Sequence, residues 1–139
     1  MKRNGSAVWK GDLKSGQGTV STESGVLSDT QYSFKTRFEE GKGTNPEELV
    51  GAAHAGCFSM FLSALLTDAG FTPTRVSTTA AVHLDDGPEI SLIELSTEAV
   101  VPDLTEAVFL KHAEAAKKGC PVSKALTGPK ITLTAKLVT

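Results

Sequence analysis

The chain has 139 residues, enough to bury one hydrophobic core but too few for two, so a single domain over residues 1–139 is expected. Its 14 lysines and arginines are interspersed with 16 aspartates and glutamates, which leaves no basic block to hold nucleic acid. No apolar segment follows the basic start of the chain, so no secretory signal is predicted. Two cysteines in such a chain favour cytosolic thiols over a disulfide framework, and a cytoplasmic protein is therefore expected.

The first third of the chain predicts short β-strands. They lie in SAVWKG and GQGTVST, separated by the turn-forming residues of GDLKSGQG. Residues 32–38 (YSFKTRF) alternate between aromatic or threonine side chains and polar ones, which also predicts a strand. On such a strand Arg37 would point to the face opposite Phe34 and Phe38.

A long helix is predicted over about residues 46–69. Asn45 suits the N-cap, Pro46 suits the first helical position, and Glu48 would complete a capping box with Asn45. Gly70 offers a C-terminal stop. Nearly every face of this helix is apolar, so we expect it to be covered on all sides.

The uncharged span from Leu49 to Thr67 raises the question of a membrane helix. Polar His54, Ser59 and Ser63 lie within it, acidic residues flank both ends, and no Trp or Tyr marks an interface. A buried helix of a soluble protein is the better interpretation, and no membrane partner is expected.

One face of the helix carries only small side chains. Such a stripe lets another backbone come close, either the same helix of a second copy across a two-fold axis or another part of the same chain. The sequence leaves both alternatives open. The stripe consists of Gly51, Ala55, Ser59 and Ser63.

The second half of the chain predicts two strands, two helices and a last strand. RVSTTAAVHL and EISLIELSTEAVV alternate on either side of the turn DDGP, and KITLTAKLV alternates near the end of the sequence. Between them a helix capped by Asp103 is expected through LTEAVFLKHAEAAKK, with a short helical turn from Cys120-Pro121 to Leu126. The residues expected on its inward face are Leu104, Ala107, Val108 and Ala115. This order indicates an α+β fold with an antiparallel sheet.

The two cysteines differ in their local chemistry. Cys120 stands at an N-cap position, where backbone N–H groups would stabilise a thiolate. Cys57 lies about three turns inside the long helix among apolar neighbours, where burial would raise its pKa. Local chemistry alone therefore favours Cys120 as the reactive thiol, and Cys57 becomes a nucleophile only if a cation is brought to it.

Arg37 is the candidate cation and Glu47 the candidate carboxylate that would hold it. A guanidinium can contact a thiolate and a carboxylate together, and Glu47 lies about three helical turns before Cys57, on roughly the same face. The alternatives are a solvated arginine and an acidic residue that complements the helix dipole. His54, three residues before Cys57, would fit a thiol hydrolase or a metal ligand, but no second ligand spacing accompanies it and a structural role is favoured.

Three stretches of the sequence resemble the OsmC/Ohr family, the osmotically inducible protein C and organic hydroperoxide resistance proteins. They are NPEELVGAAHAGCFSM at 45–60, GCPVSKAL at 119–126 and WKGDLKSGQGTVSTESGVL at 9–27, the last resembling the OsmC branch in particular. The resemblance implies an intertwined homodimer, with sheet from both chains around central helices. It also implies a thiol peroxidase without metal or haem.

The resemblance assigns a role to each candidate residue. Cys57 would be the peroxidatic cysteine and Cys120 the resolving one, which reverses the preference from local chemistry. Arg37 would contact the reactive thiolate, and Glu47 would hold that arginine.

The expected substrate is an organic hydroperoxide, because Phe58, Met60 and Phe61 surround Cys57 with apolar side chains. Hydrogen peroxide is a second substrate to consider. The expected reductant is an external dithiol, such as a lipoylated protein, and the expected context is oxidative or osmotic stress. A non-enzymatic redox sensor or ligand-binding domain with the same cysteine pair is the alternative.

Overall fold

A computed structural model describes residues 1–138, and the chain divides into one unit from Met1 to Leu49 and a second from Val50 onward. The first unit contains a three-stranded antiparallel sheet of β1 (Gly5–Lys10), β2 (Gln17–Thr22) and β3 (Thr30–Tyr32), in that order. The short strands expected in the first third are therefore confirmed. The single domain expected from chain length stays a prediction.

Gly18 sits beneath two aromatic rings in the middle of this sheet. It pairs with Trp9 on β1 and with Tyr32 on β3, and the two ring centroids are 5.4 Å apart. A Cβ atom at Gly18 would lie 2.5 Å from Tyr32 and 2.6 Å from Trp9. Glycine is needed here because any side chain would push the aromatic pair off the sheet.

The predicted strand over residues 32–38 is wrong. Only Tyr32 belongs to a strand, and Phe34–Phe38 form a short helix, α1. A reciprocal capping box explains the difference: the Ser33 hydroxyl accepts from the Thr36 N–H at 3.3 Å, and the Thr36 hydroxyl accepts from the Ser33 N–H at 2.8 Å. Arg37 therefore does not point away from both phenylalanines, and its Cζ lies 5.4 Å from the Phe38 ring centroid.

The long helix α2 spans Pro46–Asp68, close to the predicted range. Asn45 is its N-cap as expected, since its Oδ1 accepts from the Glu48 N–H at 2.8 Å. The predicted capping box is only half formed, because the Glu48 carboxylate accepts from the Thr44 hydroxyl at 2.8 Å. After the helix, Gly70 adopts a φ of +94°, the left-handed conformation expected of a C-terminal stop.

The second unit contains a mixed sheet of β4 (Arg75–Asp85), β5 (Glu89–Val100) and β6 (Lys130–Val138), in that order. β4 and β5 form an antiparallel hairpin, but β5 and β6 are parallel. The α+β class is confirmed, and the expectation of antiparallel pairing is wrong for this last pair. Two helices between β5 and β6 form the crossover that a parallel pair requires.

These two helices are α3 (Glu106–Gly119) and α4 (Pro121–Ala125). The N-cap of α3 is Thr105, whose hydroxyl accepts from the Val108 N–H at 3.4 Å, and not Asp103, which has a φ of +64°. The helix therefore starts later than predicted, and the residues on its inward face differ from those predicted. Leu104 is buried as predicted, but Ala107, Val108 and Ala115 are exposed, and the buried residues of the helix are Phe109, Ala113 and Ala116.

The core of the second unit lies between α2, α3 and the sheet. Its largest fully buried apolar side chains are Phe58, Leu62, Leu66, Ile93, Leu95 and Phe109. The small-residue stripe of α2 faces β4 of the same chain: a Cβ at Gly51 would lie 3.1 Å from the Ala80 carbonyl, and the Ser59 hydroxyl donates to Thr78 at 2.7 Å. Gly51 and Ser59 therefore pack against another part of the same chain, which was one of the two alternatives left open by the sequence.

Another face of α2, which includes Met60, is exposed in this chain. By length and composition α2 could cross a membrane, with a mean hydropathy of 1.7 over 18 residues, and 28% of that window is buried. Core helices of soluble proteins can have the same length and composition. The expectation that the helix is covered on all sides is therefore not met by the single chain, and Met60 is 77% exposed.

Candidate functional site

Arg37 and Glu47 form an ion pair within the first unit. Both Nε and Nη2 of Arg37 lie 3.0 Å from Oε1 of Glu47. The Asn45 side-chain amide donates to the Thr36 carbonyl at 3.1 Å, which ties α1 to the start of α2. The Glu47 side chain is only 9% exposed, and its Oε2 atom has no partner among residues 1–138. The expected pairing of this arginine with this glutamate is therefore present.

An apolar cavity of about 210 Å³ borders the arginine, also within the first unit. Its wall is largely aromatic, and the Arg37 guanidinium contributes its positive charge. A cation at the edge of an apolar cavity can bind a polar group at the end of an apolar molecule. The lining residues are Trp9, Leu13, Tyr32, Ser33, Phe34 and Arg37.

Cys57 and Cys120 meet within the second unit, and both are free thiols. Burial raises the pKa of Cys57, which is half-buried, and the neighbouring Cys120 thiol raises it further. The Val122 backbone N–H opposes this by lowering the pKa of Cys57. The two cysteines that lie far apart in the sequence are therefore neighbours in the fold.

Cys120 is fully buried and serves as the N-cap of α4, as predicted. The Ser123 N–H donates to the Cys120 sulfur at 3.3 Å, and the Cys120 thiol donates to the Ser123 hydroxyl at 3.2 Å. Pro121 occupies the first helical position, where its missing N–H costs nothing. The sulfur is therefore held in one orientation by the first turn of α4.

His54 extends the same hydrogen-bond network. It is fully buried, and its Nε2 atom lies 2.7 Å from the Ser123 hydroxyl. Burial lowers the pKa of His54, so the ring is neutral at pH 7. Its Nδ1 atom has no hydrogen-bond partner in the described part of the chain.

Ser123 is the residue of this network that the sequence did not single out. Its position three residues after Cys120 is the signal that could have found it, because an N-cap side chain meets the third residue of its helix. The expected apolar wall around Cys57 is only partly present. Phe58 lies in the core and Met60 is exposed, whereas Phe61 packs against Gly119, beside Cys120.

The structure thus forms two groups, each within one unit: Arg37 with Glu47, and Cys57 with Cys120, Ser123 and His54. Residues 1–138 contain no cluster of three or more His, Cys, Asp or Glu side chains that could hold a metal ion. A thiol pair beside a buried neutral imidazole can carry out disulfide chemistry.

Comparisons with known proteins identify the family. Residues 39–135 match the sequence model of a protein family that is described as OsmC-like protein. Peroxiredoxin OsmC of Escherichia coli (strain K12) is 55% identical over 129 residues, which cover 91% of this chain and 90% of that protein. Organic hydroperoxide resistance protein-like 1 of Staphylococcus saprophyticus is 34% identical over 90 residues, covering 63% of this chain and 64% of that protein.

Two solved structures share the fold. The OsmC like protein from Mycoplasma pneumoniae superposes with a TM-score of 0.76 at 16% identity, covering 100% of this chain and 99% of that one. The organic hydroperoxide resistance protein OhrB of Bacillus subtilis gives a TM-score of 0.66 at 21% identity, covering 97% and 98%. Because the family model matches most of the chain and a relative is 55% identical to it, the chain belongs to the OsmC-like protein family.

Proposed function

We propose that this protein is a thiol-dependent peroxidase that reduces organic hydroperoxides with the pair Cys57 and Cys120, in defence against oxidative or osmotic stress. The peroxidase activity rests on the similarity to Peroxiredoxin OsmC and to organic hydroperoxide resistance proteins. The observation that carries the assignment to these residues is the contact between two free thiols within one unit. A cytoplasmic location fits two free thiols.

The first step is attack of the Cys57 thiolate on one oxygen of the hydroperoxide. The sulfur gains that oxygen and becomes a sulfenic acid, the O–O bond breaks, and the leaving alkoxide takes up a proton to become an alcohol. Because burial raises the pKa of Cys57, the step needs a positive charge to favour the thiolate. Arg37, held by Glu47, is the residue we assign to this role.

The second step joins Cys120 to Cys57. The Cys120 sulfur attacks the sulfenic sulfur, a disulfide forms, and the hydroxyl of the sulfenic acid leaves as water. An external dithiol then reduces the disulfide and restores both thiols, and a lipoylated protein is the reductant we propose. All the groups these steps require are side chains of this chain and the dithiol, so no metal or bound cofactor is included.

The apolar cavity beside Arg37 supports an organic substrate. Its aromatic and aliphatic wall would hold the carbon skeleton of an alkyl or aryl hydroperoxide, whereas hydrogen peroxide has no apolar part to bury there. Hydrogen peroxide would therefore be the slower substrate.

The uncovered face of α2 supports a homodimer. Small and apolar residues recur on it at intervals of four, which gives a flat apolar surface along the helix. A second copy related by a two-fold axis would cover this surface with the same surface of its own. The exposed residues concerned are Ala52, Gly56, Met60 and Ala64.

Peroxide consumption by wild type, Cys57→Ser and Cys120→Ser tests the proposed function. With dihydrolipoamide present, wild type should turn over repeatedly, and Cys57→Ser should consume no peroxide. Cys120→Ser should complete the first oxidation and then accumulate overoxidised Cys57, visible as an added mass of two or three oxygens. Unchanged turnover by Cys57→Ser would refute the assignment, and a disulfide without sustained consumption would indicate a redox sensor.

A further inference from the structure

The hydrogen bonds around Ser123 form a chain that leads from a thiol to an imidazole. The Ser123 hydroxyl accepts from the Cys120 thiol at 3.2 Å, so its single proton is free to point to Nε2 of His54, 2.7 Å away. In this arrangement Nε2 is the unprotonated ring nitrogen. The chain Cys120–Ser123–His54 is therefore aligned to move a proton away from the sulfur.

We propose that His54, acting through Ser123, receives the proton that Cys120 loses when it attacks the oxidised Cys57. The proposal rests on the peroxidase function above and concerns its second step alone. Ser123 touches the reacting sulfur, and His54 is a positioning residue that acts through Ser123.

The Cys120 proton moves to the Ser123 oxygen while the Ser123 proton moves to Nε2 of His54. The Cys120 sulfur supplies the electron pair of the new S–S bond, and the S–O bond of the Cys57 sulfenic acid breaks. The hydroxide that leaves takes the proton held by His54 and becomes water, so the imidazole ends neutral.

The position of His54 suits both ends of this transfer. It lies one turn before Cys57 on α2, so it neighbours the sulfur from which hydroxide departs. Burial keeps the ring neutral before the step, which leaves Nε2 able to accept a proton. Nδ1 of His54 is buried without a hydrogen-bond partner among the described residues, which destabilises the folded state. A histidine with only a structural role would gain nothing that offsets this destabilisation.

Among the residues described, the buried and half-buried side chains of β4 and β5 are not ionisable. On α3, His112, Glu114 and Lys117 are half-buried, with Lys117 paired to Glu114 at 2.8 Å, and Lys124 of α4 is exposed. Along α2, Glu47 and Glu48 come about two turns before His54, in the other unit. The inward residues are Val76, Thr78, Ala80 and Val82 of β4, Ile93, Leu95, Thr97 and Ala99 of β5, and Phe109, Ala113 and Ala116 of α3.

A single-turnover experiment separates the relay from a structural role. Reduced protein is mixed with one equivalent of cumene hydroperoxide, and sulfenic acid and disulfide are quantified by acid quench and mass spectrometry from pH 5 to 10. His54→Gln keeps an amide in hydrogen-bond reach of Ser123 but cannot take up a proton, and Ser123→Ala removes the link with little loss of volume. Ser59→Ala, which removes a hydroxyl of α2 bonded to Thr78, is the control.

We expect sulfenic acid to form at the wild-type rate in both relay variants, and the disulfide step to slow by about 10²-fold at pH 7. The difference should shrink towards pH 10, because solution hydroxide then removes the Cys120 proton. A disulfide rate that is unchanged, or lowered equally at every pH, would overturn the relay. Ser123→Ala decides the outcome if His54→Gln fails to fold, and absence of both sulfenic acid and disulfide in wild type would instead refute the peroxidase function.

Discussion

Arg37 presents two guanidinium nitrogens to a single oxygen of Glu47, with Nε and Nη2 both 3.0 Å from Oε1. The carboxylate therefore fixes the plane of the guanidinium and leaves its remaining N–H groups free for another acceptor. A neighbouring carboxylate, that of Glu48, accepts from Thr44 instead. Two consecutive glutamates at the start of α2 thus have different partners.

Glu47→Gln should slow oxidation of Cys57 by about 10²-fold, because a neutral amide orients Arg37 less firmly and the thiolate loses a preorganised donor. The thiolate absorbance near 240 nm, followed in a Cys120→Ser background, should show a higher pKa of Cys57 in the variant. Stopped-flow mixing with cumene hydroperoxide gives the rate. Glu48→Gln is the matched control and should react like wild type, and equal rates for all three proteins would contradict the role of Glu47.

Thr97→Val should destabilise the second unit without affecting the thiols. The buried Thr97 hydroxyl donates to the Ser77 carbonyl at 3.1 Å and lies 3.0 Å from the Thr78 hydroxyl, which itself accepts from Ser59. Removing it leaves buried polar groups without partners, at a cost of about 1–3 kcal/mol in the free energy of unfolding. Urea titration measures this cost.

Thr79→Val provides the comparison for that measurement, because Thr79 lies on the exposed face of β4. Its unfolding free energy should stay within about 0.5 kcal/mol of wild type. Equal stabilities for the Thr97 and Thr79 variants would show that the hydroxyl chain contributes nothing.

The sequence predicted features that depend on neighbouring residues. Asn45 and Gly70 marked the ends of α2 because caps and left-handed stops are local, and the same reasoning placed Cys120 at the start of α4. The helix α1 was missed because an alternating pattern over residues 32–38 also fits a strand, and only the reciprocal cap between side chains and backbone decides between them.

Contacts between residues far apart in the chain could not be predicted from the sequence. The bond between His54 and Ser123 joins residues 69 positions apart, and no periodicity encodes which serine a buried histidine will meet. The parallel pairing of β5 and β6 likewise depends on how α3 and α4 return the chain to the sheet. The roles of the two cysteines came from the family resemblance, since local chemistry favoured the other assignment.

Leu13→Ala should lower kcat/KM for cumene hydroperoxide roughly tenfold and leave the value for hydrogen peroxide unchanged. Leu13 lines the cavity beside Arg37, and truncating it removes apolar surface worth about 1–2 kcal/mol to an aryl group. Coupled assays with both peroxides give the two constants. Val26→Ala, an exposed truncation in the same unit outside the cavity lining, should change neither, and an equal loss for both peroxides would argue against a substrate role for the cavity.

His54 should make the folded protein sensitive to mild acid. Burial lowers its pKa below the ordinary value of 6.5, so the unfolded chain binds a proton at a pH where the folded chain does not. The free energy of unfolding should therefore fall as the pH drops below about 6.5, by up to about 1.4 kcal/mol per pH unit, until the folded ring is itself protonated.

The comparison of two variants of α2 isolates this contribution. His54→Gln cannot titrate, so its unfolding free energy should lose less between pH 6.5 and pH 5 than that of wild type. Ser59→Ala removes a hydroxyl of the same helix that donates to Thr78 but no titratable group, and it should keep the wild-type slope. Urea titrations at half-unit pH steps measure all three slopes, and a His54→Gln protein as acid-sensitive as wild type would show that another group is responsible. Because the same neutral imidazole is required to accept a proton from Ser123, a flat slope in this variant would also support the ring state on which the relay depends.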